Sequence, residues 1–215
     1  MKIKGFEDTI NWYSKNAQNY AASVADRYNE EHLEEFFKLL FKGAKVLDAG
    51  CAAGRDTALL AKRGLEMTGF DICDELLNVG RKNNKDIKFV QGTFLNLPFE
   101  DNQFDGIWAR NCLLHLDSVS EVKKSLNEFS RVLKENGIIH IQVIAQTGAH
   151  ETEIVKDQGT NHDRFFRYYK IGELKDWMEE VGFKIIKSFQ YPERSKKSVP
   201  RELIFILASK SEYHA

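Results

Sequence analysis

The chain has 215 residues, of which 42% are hydrophobic and 29% charged, and its 31 basic and 32 acidic side chains give a net charge of −1. This length fits one domain with at most a modest addition, and the near-neutral charge argues against a dedicated nucleic-acid binder. No apolar run approaches the roughly 20 residues that cross a bilayer, and the basic start MKIKGFEDTI lacks the apolar stretch of a secretory signal. We therefore expect a cytoplasmic protein with no membrane partner.

The first predicted element is a helical segment over residues 6–41. Apolar side chains recur there at the three-to-four spacing of a buried helix face, namely at Phe36, Phe37, Leu40 and Phe41. Gly43 is expected to end this segment.

Five short apolar runs follow and alternate with helix-like segments. They are predicted to be strands at Lys45–Asp48, Glu66–Asp71, Ile87–Gln91, Phe104–Arg110 and Ile138–Ile144. Strands that alternate with helices predict a mostly parallel sheet with helices on both faces. In such sheets ligands bind beyond the carboxyl ends of the strands, where the strand order reverses.

The second half of the chain carries clear helix signals. Ser118-x-x-Glu121 is a capping box, a buried stripe follows it as far as Leu133, and Gly137 is expected to cap the helix end. A later stripe ends at Gly182, and the chain finishes with two predicted strands, Phe183–Tyr191 and Glu202–Ala208.

The segment VLDAGCAAGRDT runs from a buried strand into Asp48, a turn with Gly50 and Gly54, and then a helix. Glycine lets backbone approach a ligand closely, and a helix N-terminus offers free N–H groups to it. A nicotinamide dehydrogenase would use G-x-G-x-x-G, whereas these glycines are spaced as G-x-x-x-G with no glycine at 52 or 53.

A second acid, Asp71, ends the second predicted strand in GFDICDELL. A carboxylate at that position can accept hydrogen bonds from both hydroxyls of a ribose, each contributing roughly 1.5–3 kcal/mol. The alternative is that Asp71 or Asp74 only caps the next helix. We assign the cap to Asp74 and the ribose to Asp71.

In chain order, VLDAGCAAGR, GFDI, GTFLNLPFEDNQFDGIWARNCLLHL and RVLKENGIIHI resemble class I S-adenosylmethionine methyltransferases. More narrowly, they are similar to the small-molecule group that includes the ubiquinone-biosynthesis enzymes. The resemblance implies a doubly wound α/β fold whose seven-stranded sheet has the order 3-2-1-4-5-7-6, with strand 7 antiparallel. It also implies a single methyltransferase domain over 1–215, made of N-terminal covering helices (1–43), a cofactor-binding core (44–145), an acceptor lid (146–170) and a C-terminal helix with the last two strands (171–215).

The resemblance further implies that S-adenosylmethionine is the cofactor and S-adenosylhomocysteine its product. The cofactor-binding residues that it implies are Asp48, Gly50, Ala52, Gly54, Asp71, Ile72, Thr93, Phe94, Ala109, Arg110, Asn111 and Tyr20. Two positions depart from the family pattern: Ala52 stands where glycine is usual, and Thr93 stands where relatives usually place an acid. We expect binding to survive both, with a slightly shifted loop at Ala52.

On the acceptor side, His115 is the best single candidate for a catalytic base, which is needed only if the acceptor must lose a proton. The alternative is a structural histidine in the packing segment LLHL. On the N-terminal helix, Tyr13 and Tyr20 resemble the Tyr-x6-Tyr pattern of the relatives' covering helix, and simple helix packing is the alternative.

The segment HDRFFRYY, residues 162–169, combines arginines with aromatic rings, and is either an acceptor lid or the start of an amphipathic helix with Phe165 in the core. Histidines beside carboxylates at 150–151 and 162–163 could bind a metal, but we expect solvated loop residues and no metal site. The basic segment 193–201 is expected to be a solvated hairpin loop, or a phosphate contact if the substrate is RNA.

The function that these patterns favour is methyl transfer from S-adenosylmethionine to a small-molecule acceptor by in-line displacement. An RNA or protein methyltransferase is one alternative, against which the neutral charge and the lack of an added recognition domain weigh. A non-catalytic partner subunit that binds S-adenosylmethionine is another. The acceptor, the methylated atom and the oligomeric state stay open at this point.

Overall fold

In a computed structural model, residues 4–156, 162–193 and 201–211 are described. The basic segment 193–201 therefore lies largely outside the described residues. None of the helices in the described ranges is both long and apolar enough to cross a membrane.

The N-terminal segment forms two helices, α1 (Lys4–Val24) and α2 (Glu30–Phe37). The prediction that residues 6–41 are helical is therefore wrong over 25–29 and again over 38–41, so Gly43 ends no helix. Asn29 explains the second start, because its side-chain oxygen accepts hydrogen bonds from the N–H groups of the first turn of α2.

Seven strands form the main sheet. In chain order these are β1 (Lys45–Ala49), β2 (Glu66–Asp71), β3 (Lys88–Gln91), β4 (Phe104–Arg110), β5 (Leu133–Ile144), β8 (Phe183–Pro192) and β9 (Glu202–Lys210). They lie side by side in the order β3-β2-β1-β4-β5-β9-β8. β1 to β5 are parallel to one another, whereas β9 is antiparallel to both of its neighbours, β5 and β8. The predicted order and the antiparallel last strand are confirmed.

Helices pack on both faces of this sheet, as predicted. They are α3 (Arg55–Lys62), α4 (Asp74–Asn83), α5 (Val119–Val132) and α6 (Ile171–Glu180), together with α2. Side chains alternate between the faces. Ile107 of β4 packs in the cluster that contains α5 and α6, while its neighbour Trp108 packs in the cluster that contains α2 and α3. Burial on both faces explains why the strands read as apolar runs.

The boundary between α5 and β5 differs from the prediction. The capping box is confirmed, since the N–H of Glu121 donates to the Ser118 side chain, but α5 ends at Val132 and β5 begins at Leu133. Gly137 lies within β5 and caps no helix. Leu133 is fully buried beside β4, so the apolar pattern alone could not separate the end of the helix from the start of the strand.

The segment 162–169 also differs from one of its two interpretations. Residues Arg164–Arg167 form strand β7, which pairs antiparallel with β6 (Thr152–Val155) in a separate two-stranded sheet. The amphipathic-helix alternative is wrong, although Phe165 is buried as that alternative required. α1 packs against both α4 and β7, which places it beside the carboxyl edge of the main sheet.

Candidate functional site

The turn after β1 needs its glycines. Gly50 has a φ of 76° and Gly54 a φ of 74°, both in the left-handed region that glycine adopts readily. A Cβ on Gly50 would lie 2.2 Å from the Cβ of Cys112, and one on Gly54 would lie 2.7 Å from the ring of Phe89. Close packing therefore fixes glycine at both positions.

Ala52 takes the same left-handed conformation, with a φ of 49°. Its N–H donates a 2.9 Å hydrogen bond to Oδ2 of Asp71, so the turn is joined to the end of β2. A residue with a Cβ pays roughly 1–2 kcal/mol for this conformation. The usual glycine of the family is thus replaced here at a cost in backbone strain.

We expect Ala52→Gly to raise the free energy of unfolding by about 1 kcal/mol, because relief of the strain exceeds the added entropy of the unfolded chain. The melting temperature should rise by roughly 2–4 °C. The matched control is Ala53→Gly, since Ala53 has no positive φ and its replacement should lower stability. Equal losses in both variants would contradict the strain at position 52.

The carboxylate of Asp71 lies at the end of β2 and faces the turn. Oδ1 accepts a 2.9 Å bond from the N–H of Cys73, and Oδ2 accepts the bond from Ala52. Burial raises the pKa of Asp71, while these backbone donors act in the opposite direction. The N-cap of α4 is Cys73, not Asp74, whose carboxylate accepts instead from Arg81. The assignment of the cap to Asp74 is therefore wrong.

A cavity of about 240 Å³ lies between α1 and the carboxyl ends of β1, β2 and β4. The strand order reverses between β1 and β4, so this is the position where doubly wound sheets bind ligands. Most of the residues predicted for the site line it, namely Tyr20, Asp48, Gly50, Ala52, Asp71, Ile72, Thr93, Phe94, Arg110, Asn111 and His115.

Two predicted residues do not line the cavity. Gly54 is the N-cap of α3 and packs against Phe89, and Ala109 is fully buried in the core. Thr93 lines the cavity, but its hydroxyl accepts a 3.3 Å hydrogen bond from the N–H of Leu95. Sequence spacing placed these residues near the strand ends without revealing which way each one points.

His115 lies in a 3₁₀ turn after β4, and two hydrogen bonds fix its ring. Nδ1 is 2.6 Å from the carbonyl oxygen of Phe165 in β7, and Nε2 is 3.1 Å from the hydroxyl of Tyr13 in α1. Burial lowers the pKa of His115 to about 4, even though the Phe165 carbonyl acts in the opposite direction. The imidazole is therefore neutral at physiological pH.

The aromatic side chains of α1 form a cluster over the cavity. The ring of Tyr13 contacts those of Trp12 and Tyr20, with centroids 5.1 and 4.9 Å away, and the guanidinium of Arg164 stacks 4.2 Å above the Trp12 ring. Burial raises the pKa of both tyrosines. The Tyr-x6-Tyr pattern thus places both rings at the cavity.

A buried ionic network that the sequence did not predict lies at the cavity wall. Asp56 accepts from Nε and Nη2 of Arg55 at 2.7 and 2.9 Å, from Nη1 of Arg110 at 3.2 Å and from the indole of Trp108 at 3.1 Å. Burial raises the pKa of Asp56, but the two arginines more than offset this and hold it at about 2. The charged pair in GRDT was the only local signal.

The same arginines hold the end of α1 and the residues that follow it, 24–27, in place. Nη1 of Arg55 donates to the carbonyl of Val24 at 3.0 Å, and Nη1 of Arg110 donates to the carbonyl of Arg27 at 2.9 Å. Val24 and Arg27 both line the cavity. The network therefore connects residues 24–27 to the carboxyl ends of the sheet strands.

The candidate metal ligands are not brought together. Among the residues that the structure describes, no group of three or more His, Cys, Asp and Glu side chains could hold a metal ion. His162 instead contacts α1, where Nζ of Lys15 donates to its Nε2 at 2.7 Å.

The sheet order, the antiparallel last strand, the glycine turn and the acid at the end of β2 agree with what the resemblance to class I S-adenosylmethionine methyltransferases implies. Residues 47–141 match the family described as "Methyltransferase domain". The chain is 29% identical over 166 residues to a demethylmenaquinone methyltransferase of Staphylococcus saprophyticus, covering 72% of this chain and 66% of the relative. It is 28% identical over 158 residues to a sterol 24-C-methyltransferase of Gibberella zeae, covering 67% of this chain and 40% of the relative.

Solved structures share the fold. A methyltransferase from Methanosarcina mazei has a TM-score of 0.76 at 18% identity, over 81% of this chain and 95% of that one. The 1,6-didemethyltoxoflavin-N1-methyltransferase of Burkholderia thailandensis has a TM-score of 0.73 at 22% identity, over 96% and 87%. Residues 47–141 thus match a methyltransferase domain and the chain shares the fold of these solved methyltransferases, although it spans less than two thirds of the length of the curated relatives named above.

Proposed function

We propose that this protein transfers a methyl group from S-adenosylmethionine to a small-molecule acceptor by in-line displacement. The observation that carries the proposal is the cavity at the position where the strand order reverses, between β1 and β4. The glycine turn, Asp71 and the tyrosines of α1 meet there. S-Adenosylmethionine supplies a methyl group on a positively charged sulfur. The protein contributes mainly by holding donor and acceptor in line, which is worth up to about 7–11 kcal/mol.

The residues around the cavity fit this cofactor. A carboxylate offers about four acceptor positions, and backbone N–H groups use one on each oxygen of Asp71, which leaves acceptors for a ribose diol. Ile72 and Phe94 provide apolar walls for adenine. Asp48, Arg110 and Asn111 would border the methionine part.

The cofactor assignment predicts a specific loss on mutation. Asp71→Ala should weaken the binding of S-adenosylhomocysteine by about 1.5–3 kcal/mol, because charge-assisted bonds to the ribose are lost. That corresponds to a roughly 10- to 150-fold rise in the dissociation constant. Isothermal titration calorimetry measures it directly.

The control variant is Asp74→Ala, which removes a half-exposed carboxylate three residues further along the chain, at the start of α4, and should leave affinity unchanged. Equal effects of the two variants would point to a general disturbance of the loop. Binding of NADH together with no binding of S-adenosylhomocysteine would refute the cofactor assignment.

The acceptor is proposed to be a small molecule, and the protein to act in the cytoplasm as the single domain of cover, core, lid and C-terminal strands predicted from the sequence. The relatives named as demethylmenaquinone and toxoflavin-precursor methyltransferases act on small molecules according to their names, which supports the proposal. The decisive experiment is a metabolite screen with S-adenosylmethionine labelled in the methyl group. Label in purified RNA or protein, and in no metabolite, would favour the alternative class of substrate. Cofactor binding with no transfer to any substrate would favour a non-catalytic partner subunit.

A further inference from the structure

Three segments that are distant in sequence meet at His115. The carbonyl oxygen of Phe165 can only accept a hydrogen bond, so Nδ1 of His115, 2.6 Å away, carries the hydrogen. Nε2 is then an unprotonated acceptor, and the hydroxyl of Tyr13, 3.1 Å away, donates to it. The backbone of β7 therefore selects the tautomer that receives the Tyr13 proton.

Two further contacts hold this arrangement in place. The N–H of Phe165 donates to Oγ1 of Thr9 in α1 at 2.8 Å, and Arg164 stacks on Trp12 of the same helix. α1 and β7 are thus joined by two contacts in addition to the bonds made by Tyr13 and His115. Tyr13 and His115 both line the cavity.

We propose that Tyr13 and His115 form a proton relay, in which the acceptor's hydroxyl or N–H group donates to Oη of Tyr13 while Tyr13 passes its own proton to Nε2 of His115. This inference rests on the proposed methyl transfer. Tyr13 is the catalytic residue that touches the acceptor, and His115 acts through it. The direct contact between a base and the acceptor that the sequence suggested is replaced by an indirect one.

The step balances in atoms and charge. The acceptor atom forms a bond to the methyl carbon, and the carbon–sulfur bond breaks with its electron pair remaining on sulfur. The acceptor's proton moves to Oη of Tyr13, and the Tyr13 proton moves to Nε2 of His115. The positive charge lost from sulfur reappears on the imidazole, which still donates from Nδ1 to the Phe165 carbonyl and later releases one proton to solvent.

The surroundings of the pair keep Tyr13 protonated and His115 neutral before methyl transfer. The titratable groups that face it are Arg164 from β7, Tyr20 from α1 and Asp71 from the end of β2. Burial raises the pKa of Tyr13 well above 10 and lowers that of His115 to about 4. At neutral pH the tyrosine therefore holds its proton and the imidazole is free to receive one.

The geometry also limits the class of acceptor. Because burial lowers the pKa of His115 to about 4, the relay suits a group whose proton is already acidic or becomes acidic during attack. The cavity wall beside the pair is apolar, with Phe6, Ile10 and Leu116. The relay therefore fits an uncharged aromatic or conjugated ring that carries a hydroxyl or an N–H group.

The test compares Tyr13→Phe and His115→Asn with the wild type on two probe acceptors, phenol and 4-nitrophenol, with labelled S-adenosylmethionine. The asparagine side chain of His115→Asn can still donate to the Phe165 carbonyl. For phenol, kcat should fall roughly 10²- to 10⁴-fold in both variants, while affinity for S-adenosylhomocysteine stays within about threefold. For 4-nitrophenol at pH 9, which is already ionised, most of the loss should disappear.

A second readout needs no acceptor. In the free wild-type protein, ¹⁵N NMR should show protonated Nδ1 and unprotonated Nε2 in His115, and Tyr13→Phe should shift the Nε2 signal. Tyr28→Phe, which removes an exposed hydroxyl elsewhere, is the control that should change neither readout.

The outcomes separate the two proposals. Equal losses for phenol and 4-nitrophenol, full activity of both variants, or the opposite tautomer would overturn the relay. Failure of the wild type to methylate either phenol, although it binds S-adenosylmethionine, would overturn the acceptor class. Absence of S-adenosylmethionine and S-adenosylhomocysteine binding would instead overturn the proposed function.

Discussion

Asp56→Asn is expected to lower the free energy of unfolding by about 3–5 kcal/mol, because removal of one partner leaves buried charges without compensation. The carboxylate of Asp56 is almost fully buried and pairs with Arg55 and Arg110. Asparagine has nearly the same shape as aspartate and can still accept the hydrogen bond from the indole of Trp108. The loss of stability therefore measures the contribution of the negative charge. Urea unfolding at pH 7 measures the effect.

The pH dependence of this loss has a defined sign. Ion pairing holds the pKa of Asp56 at about 2 in the folded protein, below the ordinary value of 3.8. Its contribution to stability is therefore fully present above pH 4 and is lost as the pH falls towards 2. The difference in the free energy of unfolding between wild type and Asp56→Asn should therefore become smaller over that pH range.

Asp101→Asn is the matched control. Asp101 also pairs with an arginine, Arg131, but its side chain is 70% exposed, and exposed pairs contribute about 0–1 kcal/mol. If Asp56→Asn lowered the free energy of unfolding no more than Asp101→Asn does, the network around Asp56 would not hold residues 24–27 in place. Loss of S-adenosylhomocysteine affinity in Asp56→Asn alone would show that the network also shapes the cavity.

Most of the fold could be predicted because the strands are buried on both faces. β2 and β4 begin and end where their apolar runs do, at Glu66–Asp71 and Phe104–Arg110. The limits of α5 and β5 could not be predicted, since Leu133 is buried equally well at the end of a helix or in a strand. In β7, Phe165 and Phe166 are both buried, which hides the alternation by which a strand is recognised.

The site divides in the same way. Asp48 and Asp71 lie at the carboxyl ends of β1 and β2, and Gly50 follows β1 directly, so local sequence placed all three at one edge of the sheet. The bond between Tyr13 and His115 joins residues 102 positions apart, and no local pattern signals it. The Arg55 and Asp56 pair was visible in GRDT, but its connection to Arg110 depends on the packing of β4 against α3, which only the folded chain supplies.

At alkaline pH, Asp48→Asn should raise the free energy of unfolding, whereas Asp56→Asn should lower it. Asp48 is buried beneath the glycine turn, where Oγ1 of Thr57 donates to its Oδ2 at 2.5 Å. Burial, together with the nearby Asp56, raises the pKa of Asp48 from 3.8 to about 7. The carboxyl is therefore largely protonated below that pH, although it lines a cavity that is expected to receive a cation.

A folded-state pKa above the unfolded value stabilises the protein at low pH, and this contribution is lost as the pH rises through about 7. A difference of about three units corresponds to about 4 kcal/mol, so wild-type stability should decline between about pH 4 and pH 7. Asparagine cannot ionise and keeps an acceptor for Thr57, so Asp48→Asn should escape this decline and become the more stable protein at pH 8. Urea unfolding at each pH measures both curves, with the exposed Asp86→Asn as control. Parallel curves for wild type and Asp48→Asn would mean that Asp48 is ionised throughout, and that the cavity carries one more negative charge at pH 6 than its burial implies.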